Sequence, residues 1–164
     1  MKEEYKTKMK KIAVVQVRGG VGMSKKVKDS LGFLRLRKKN SCVILDQDPR
    51  YTGALVKLKD FVTWGEIDTE TFRVLFEKRG RMAGNKKLTE EYLKQKTNKN
   101  YEQFSKEFME GKVKLKEVPG IKTYFRLTPP RGGFEKQGIK KQYSMGGALG
   151  YRKNGINELL RRMV

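Results

Sequence analysis

A glycine-rich turn near the N-terminus holds the residues best suited to bind a phosphate group. It reads Arg18-Gly19-Gly20-Val21-Gly22-Met23-Ser24 and falls between a predicted strand and a predicted helix. Free backbone N–H groups at a helix N-terminus attract anions, and glycines let a backbone approach them closely. Asp46 and Asp48 follow the next predicted strand and supply two carboxylates. The two segments together offer a nucleotide site, whereas the glycine turn alone offers a site for an RNA phosphate.

Taken in order, these segments resemble the deviant phosphate-binding loop and the acidic strand end of partition-type ATPases. That family places a lysine directly after the last glycine, where this chain has Met23, so only Ser24 is left as a magnesium ligand. Such ATPases also contain a large parallel sheet, whereas the pattern here predicts three strands before helices take over. An ATPase is therefore the least favoured interpretation.

Other catalytic chemistry has little support in the sequence. The chain has no histidine, the commonest general base at neutral pH. Asp46 and Asp48 are a formal acid–base pair, but Asp48 is better explained as a helix cap because Pro49 follows it. Cys42, the single cysteine, lies in an apolar run, so we expect a buried structural thiol. The sequence predicts no enzyme, no cofactor, no metal and no small-molecule substrate.

Net charge indicates the class of the partner. The 164 residues contain 39 Lys and Arg against 18 Asp and Glu, a formal charge of +21. So large an excess is expected where a polyanion such as RNA or DNA screens it. The charge divides into +10 for residues 1–60, +1 for residues 61–110 and +10 for residues 111–164. We expect two basic segments that contact the polyanion and a near-neutral middle that packs on protein or faces solvent.

Hydrophobic periodicity predicts the elements that position these residues. Residues 12–17, 42–46 and 61–67 read as strands, and two helices, one after Ser24 and one capped by Asp48, separate them. The first 67 residues thus read as β-α-β-α-β. No apolar run approaches the roughly 20 residues of a membrane helix, and the charged N-terminus does not suit a secretory signal.

The pattern becomes mainly helical from residue 68 onward. It predicts four helices: one that ends at Gly80, one that begins after Thr89, one that begins at a capping box of Asn100 and Gln103, and one that begins after Asn154. It also predicts a short strand over residues 123–127. Residues 129–150 lack periodicity and predict a long loop, ordered by the protein or by RNA. Four phenylalanines recur at helical spacing, which favours core packing over base stacking: Phe72, Phe76, Phe104 and Phe108.

Basic residues next to glycine-rich backbone are the predicted RNA contacts. We predict thirteen: Arg18, Lys25, Lys26, Lys28, Arg35, Arg37, Lys38, Lys39, Arg131, Lys136, Lys140, Lys141 and Arg152. Arg131 and Arg152 carry particular weight because a guanidinium binds phosphate through two N–H groups and stacks on bases. A second, weaker group of predicted contacts lies in the near-neutral middle: Arg79, Arg81, Lys86 and Lys87.

Short motifs along nearly the whole chain resemble a family of large-subunit ribosomal proteins. The family is called L-thirty in bacteria and L-seven in its longer eukaryotic form, and the resemblance here is to its archaeal-type members. The motifs are Ile12 to Gly19, Ser24-Lys25-Lys26-Val27, Leu34-Arg35-Leu36-Arg37, Trp64-Gly65, Lys78-Arg79-Gly80, Pro130-Arg131-Gly132-Gly133, Gly146-Gly147 and Ile156 to Met163. Their order and spacing are specific, although each alone is weak. The sequence departs from the bacterial pattern at Thr52, where that pattern has an arginine.

The resemblance implies a fold and a function. It implies an α+β, ferredoxin-like core over residues 1–67 with a three-stranded antiparallel sheet and two helices on one face, and a helical and loop extension over residues 68–164. Strand–helix–strand order by itself favours parallel strands. It further implies a structural, cytoplasmic protein of the large ribosomal subunit, with ribosomal RNA, the 5S rRNA and neighbouring ribosomal proteins as partners and no membrane association. A general basic RNA- or DNA-binding protein is the alternative.

Overall fold

The predicted β-α-β-α-β unit is present in the structure, a computed structural model that describes residues 10–164. The basic leader before Lys10 lies outside the described residues. The elements are β1 (Lys11–Gln16), α1 (Lys25–Phe33), β2 (Ser41–Asp46), α2 (Pro49–Lys57) and β3 (Val62–Glu66). The Asp48 carboxylate accepts a 2.9 Å hydrogen bond from the N–H of Arg50, which confirms Asp48 as the cap of α2.

The sheet is antiparallel in its centre, as the family resemblance implies. Strand β1 pairs antiparallel with both β2 and β3. The expectation of parallel strands from element order alone is wrong for these pairs, because β1 lies between β2 and β3 and runs against both. The α+β fold class is confirmed, but the sheet has five strands in the order β4-β2-β1-β3-β5 instead of the expected three.

The extension supplies the two additional edge strands and four helices. These elements are α3 (Thr69–Arg79), α4 (Glu90–Thr97), α5 (Tyr101–Met109), β4 (Tyr124–Arg126), β5 (Gly150–Tyr151) and α6 (Gly155–Met163). The capping box of Asn100 and Gln103 forms at the start of α5 as predicted. Strand β4 pairs antiparallel with β2, and β5 pairs parallel with β3. Residues beyond 67 thus complete the sheet that the first segment begins.

Alternating residues of β1 point into two separate hydrophobic cores. Ile12 and Val14 pack with residues of α1 and α2 on one face of the sheet. Ala13 and Val15 pack with residues of α3, α5 and α6 on the opposite face. This period of two explains why β1 is apolar on both sides. The two helices of the first segment share one face, and the extension covers the other.

Phenylalanine side chains fill the core on the extension face. The Phe72 and Phe108 ring centroids lie 4.4 Å apart, and those of Phe76 and Phe104 lie 5.0 Å apart. All four rings are buried, so the prediction of core packing in place of base stacking is confirmed. Cys42 is also buried, and burial raises the pKa of its thiol, as expected for a structural cysteine.

Candidate nucleic-acid interface

One end of the sheet collects the loops that carry most of the predicted contacts. Strand β1 finishes there, β2 and β3 begin there, β4 finishes there, and β5 begins there. We call this region the loop end, and it comprises residues 18–24, 37–40, 59–61 and 126–150. Because the basic loops next to these strands all lie at the same end of the sheet, the basic segments near both chain termini lie close together in space.

Specific contacts hold these loops together. Val17, Ala148 and Leu149 form a small buried cluster with Phe134 packed against it. The Gln142 amide donates a 3.1 Å hydrogen bond to the Asp60 carboxylate. Arg18 donates a 3.2 Å hydrogen bond to the carbonyl of the same Asp60. These contacts fix the start of the glycine turn, at Arg18, relative to the 129–150 loop.

Most of the predicted contact residues are exposed and free of ion pairs. Eleven of the thirteen are exposed and Arg18 is half-buried, with its guanidinium 5.3 Å from the Phe61 ring centroid. Within residues 10–164, none of these twelve pairs with a carboxylate; the exposed ones are Lys25, Lys26, Lys28, Arg35, Arg37, Lys38, Lys39, Arg131, Lys136, Lys140 and Lys141. Solvated cations without a carboxylate partner can exchange their counterions for phosphates.

The near-neutral middle uses its charges differently. Arg73 lies 3.7 Å from Glu102 and Lys94 lies 2.9 Å from Glu90, and Lys99 pairs with Glu107. These pairs neutralise cations of α3 to α5 within the protein. The weaker group of predicted contacts lies in the same middle, between the end of α3 and the start of α4: Arg79 and Arg81 are half-buried, whereas Lys86 and Lys87 are exposed.

Arg152 occupies a position that its sequence neighbours did not indicate. Its side chain is 1% exposed, and its guanidinium donates to both Glu135 carboxylate oxygens at 2.6 and 3.1 Å. It also donates to Thr63 and to the carbonyl of Ala148, each at 2.8 Å, and lies 4.7 Å from the Tyr143 ring centroid. All three guanidinium nitrogens thus have protein acceptors. We therefore remove Arg152 from the proposed RNA contacts and assign it to holding the 129–150 loop on β3.

Glu135 gives this buried contact a pH dependence. Burial acts to raise the pKa of Glu135, but the hydrogen bonds from Arg152 and the backbone, with the charges of Arg152 and Arg162, outweigh it and lower that pKa. A carboxyl whose folded pKa is lowered adds stability above its unfolded pKa, about 4.3, and loses it as pH falls through the folded value.

We therefore expect the stability difference between wild type and Glu135→Gln to shrink as pH falls. Urea denaturation at a series of pH values from neutral to acidic measures it. The control is Glu91→Gln, at an exposed carboxyl on α4, whose difference from wild type should stay small at every pH. A wild-type to Glu135→Gln difference that is constant from neutral to acidic pH would contradict the Arg152–Glu135 assignment.

The glycine turn does not have the arrangement of a nucleotide site. Met23, at the position of the missing lysine, is 7% exposed and packs into the core beneath α1. The strand that enters the turn belongs to an antiparallel centre, unlike the parallel sheet of the ATPases. Helix α1 has no acidic residue in its first turn, and Lys25 and Lys26 begin it. This leaves a positive helix end suited to an RNA phosphate.

Two further basic side chains belong to the loop end although the sequence prediction omitted them. Arg126 is exposed at the end of β4, opposite Ser41. Lys59 is exposed next to Asp60, before the start of β3. Their local sequence carries no glycine-rich signal, and only strand pairing brings them to this end.

Comparison with known proteins decides the family. The family model of ribosomal protein L30p/L7e matches residues 12–62, from β1 to the first residue of β3. Large ribosomal subunit protein uL30 of Methanococcus maripaludis is 47% identical over 152 residues, 93% of this chain and 98% of that protein. The uL30 protein of Methanopyrus kandleri is 44% identical over 90% of this chain and 100% of its own length. That of Nanoarchaeum equitans is 47% identical over 93% of this chain and 97% of its own length.

The chain belongs to the uL30 family of large ribosomal subunit proteins. The uL30 relatives match its length almost completely, so the extension over residues 68–164 is part of the archaeal uL30 pattern. The family is one of ribosomal structural proteins and not of enzymes, and its members act in the ribosome, in the cytoplasm. None of the helices within residues 10–164 has the length and apolar character that a membrane span requires.

Proposed function

We propose that this uL30 protein binds large-subunit ribosomal RNA through its loop end, by phosphate contacts and recognition of RNA shape, and that it has no catalytic activity. One observation carries the proposal: exposed cations without carboxylate partners within the described part of the chain, drawn from segments near both termini, converge at one end of the sheet. Such a surface releases many counterions when phosphates bind, which drives association at low salt.

The backbone of the loop end supports close approach to RNA. Gly132 and Gly133 both have φ of +77°, a left-handed conformation that favours glycine, and no atom of residues 10–164 lies where their Cβ atoms would be. Next to them, the N–H of Arg131 donates a 3.0 Å hydrogen bond to the carbonyl of Arg162 in α6. The Arg131 side chain is thus exposed on an anchored backbone beside open glycines, which suits a bidentate phosphate contact.

The neighbouring RNA in this proposal is the 5S rRNA, and the support for it is the family resemblance alone. The loop end, as far as the structure describes it, has no side-chain arrangement that indicates a base-specific code, which agrees with recognition of helical RNA by shape and phosphates. Binding of the purified protein to separate 5S and large-subunit rRNAs tests this part. Equal affinity for an unrelated structured RNA would contradict the 5S assignment and favour a general RNA-binding protein.

Arg131→Ala is the direct test of a phosphate contact at the loop end. We expect weaker binding to protein-free large-subunit rRNA, and a plot of log affinity against log salt whose slope falls by about one unit. The control is Lys94→Ala, because Lys94 lies on α4 and pairs with Glu90. Lys94→Ala should leave the slope unchanged, and an unchanged slope in Arg131→Ala would remove Arg131 from the contact surface.

Sedimentation of cell extracts separates a ribosomal role from general nucleic-acid binding. The protein should remain with large subunits washed in moderate salt, because many contacts act together within one assembly. Release of the protein into the free RNA or chromatin fraction under those conditions would contradict the proposal.

A further inference from the structure

A groove outside the loop end has the composition of a site for an unpaired RNA base. It has a volume of about 490 Å³ and lies along the edge of β2 beyond Val43, where pairing with β4 stops. The end of α1, residue Tyr51 of α2 and the segment Lys114–Lys116 form its walls. A groove of this size is within the range of sites that hold small ligands such as a nucleotide.

Phe33 is the feature of this groove that the fold does not explain. Its side chain is 78% exposed, although the neighbouring Leu34 and Leu36 are 4% and 1% exposed. A large exposed aromatic ring contributes nothing to the core and exposes apolar surface to water. Bases of single-stranded RNA stack on exposed aromatic rings of this kind.

The turn that presents Phe33 is rigid. The N–H of Leu36 donates to the carbonyl of Leu31 at 2.8 Å, and the N–H of Arg35 donates to that of Gly32 at 3.0 Å. Arg35 has φ of +61°, an unfavourable backbone conformation for a residue with a side chain, which persists because the buried leucines on both sides fix it. The backbone that presents the ring is therefore fixed before any ligand binds, which lowers the entropic cost of stacking.

Charge around the groove selects a polyanion as the occupant. Arg35 donates a 2.9 Å hydrogen bond to the hydroxyl of Thr123 and keeps further N–H donors for a phosphate. Lys114 and Lys116 are exposed on the facing segment. Asp46, the carboxylate in the lining, is already paired with Lys11. An aromatic ring flanked by cations matches a nucleotide better than it matches an acidic or apolar peptide, since only a nucleotide offers both a base and a phosphate.

We propose that Phe33 stacks on an unpaired base of ribosomal RNA while Arg35, Lys114 and Lys116 bind the adjoining phosphates. This inference rests on the proposed RNA-binding function and adds a single-stranded contact to it. It also separates Arg35 from the predicted contacts of the loop end, such as Arg37 and Arg131: Arg35 serves the groove.

The test measures binding of the full-length protein to single-stranded oligoadenylate and to duplex RNA of equal length. Phe33→Ala should weaken oligoadenylate binding by on the order of tenfold with an unchanged salt slope, because stacking releases no counterions. Duplex binding should not change, since a duplex offers no free base. Arg35→Ala should lower the oligoadenylate salt slope by about 0.7. Val56→Ala is the control, because Val56 is an apolar side chain, 57% exposed, that does not line the groove.

Phe33→Trp supplies an independent readout. It should retain oligoadenylate binding, and its fluorescence should be quenched by the RNA more strongly than that of wild type, whose single tryptophan is Trp64. Circular dichroism checks that each variant is folded.

Three results would overturn the inference. The first is wild-type affinity of Phe33→Ala for oligoadenylate. The second is an equal loss of single-stranded and duplex binding in Phe33→Ala. The third is normal binding of Phe33→Ala to protein-free RNA together with reduced incorporation of this variant into the subunit. The last result would assign the groove to a neighbouring protein. Absence of salt-dependent binding by the wild-type protein itself would instead refute the proposed function, and the groove assignment with it.

Discussion

Arg152→Ala should lower the free energy of unfolding by about 3 to 5 kcal/mol, the range for removing one partner of a buried ion pair. The side chain is 1% exposed, and its guanidinium connects two parts of the chain: the 129–150 loop, through Glu135 and the carbonyl of Ala148, and β3, through Thr63. Alanine would leave these acceptors without their donor and leave a cavity beside them.

Urea denaturation with Arg131→Ala as the matched control measures this effect. Arg131 is an exposed arginine of the same loop, so its replacement should change stability by no more than about 0.5 kcal/mol. Arg152→Lys should recover only part of the loss, since an ammonium group cannot contact three separated acceptors in the fork geometry. A loss below about 1 kcal/mol for Arg152→Ala would mean that the guanidinium is solvated, and would return Arg152 to the RNA contacts.

RNA binding by Arg152→Ala distinguishes a positioning residue from a contact residue. A buried guanidinium releases no counterion, so the salt slope should match that of wild type. Affinity should still fall, because the 129–150 loop loses its attachment to β3. Arg131→Ala should show the reverse combination, a reduced slope with normal stability. The two arginines are alike in sequence context, and these two measurements separate them.

Local signals in the sequence were sufficient to predict most elements. The cap at Asp48, the capping box at Asn100 and Gln103, and the apolar run of β1 depend on residues within about one turn or one strand, so they can be read from a short window. The sheet order could not be read in this way. It depends on pairing between distant segments, and the antiparallel centre was expected only because of the family resemblance.

The same limit applies to the site residues. Arginine is rarely fully buried, so an arginine beside glycines is reasonably predicted at the surface. Arg152 is buried because Thr63 and Glu135, 89 and 17 residues away in sequence, converge on it. The exposed cations of the loop end were easier to predict, since exposure is the default for lysine. The groove at Phe33 was missed because the end of α1, the edge of β2 and residues 114–116 form it together, and these segments are distant in sequence.

Gly65→Ala should destabilise the protein by about 3 kcal/mol, at the upper end of the usual range for overpacking. Gly65 lies in β3 opposite Ala13 of β1, in the interior of the sheet. A Cβ at this position would be 2.0 Å from the carbonyl oxygen of Lys153 and 3.1 Å from Ile156. The obstacle is backbone, so rotation of a side chain cannot relieve it, and the start of α6 would have to move away from the sheet.

Gly53→Ala is the control for this substitution. Gly53 lies within α2, and no atom of the described residues would lie within 4 Å of an added Cβ, so alanine should be neutral or stabilising by up to about 1 kcal/mol. Equal stability of Gly65→Ala and wild type in urea denaturation would show that α6 shifts without cost. We expect α6 to resist such a shift because the residues around Lys153 are fixed. Arg152 is held by its buried ion pair, and Asn157 is held by hydrogen bonds to the backbone of Glu66 and Asp68.

The consequence of Gly65→Ala should extend to RNA binding, because α6 connects the two ends of the sheet. The first turn of α6 packs against Gly65, and its last residues accept hydrogen bonds from the N–H groups of Thr128 and Arg131. A displacement at the start of the helix therefore shifts the backbone that presents Arg131. We expect weaker binding to large-subunit rRNA, and Gly53→Ala should bind like wild type. Reduced stability with unchanged affinity would show that the loop end is positioned independently of α6.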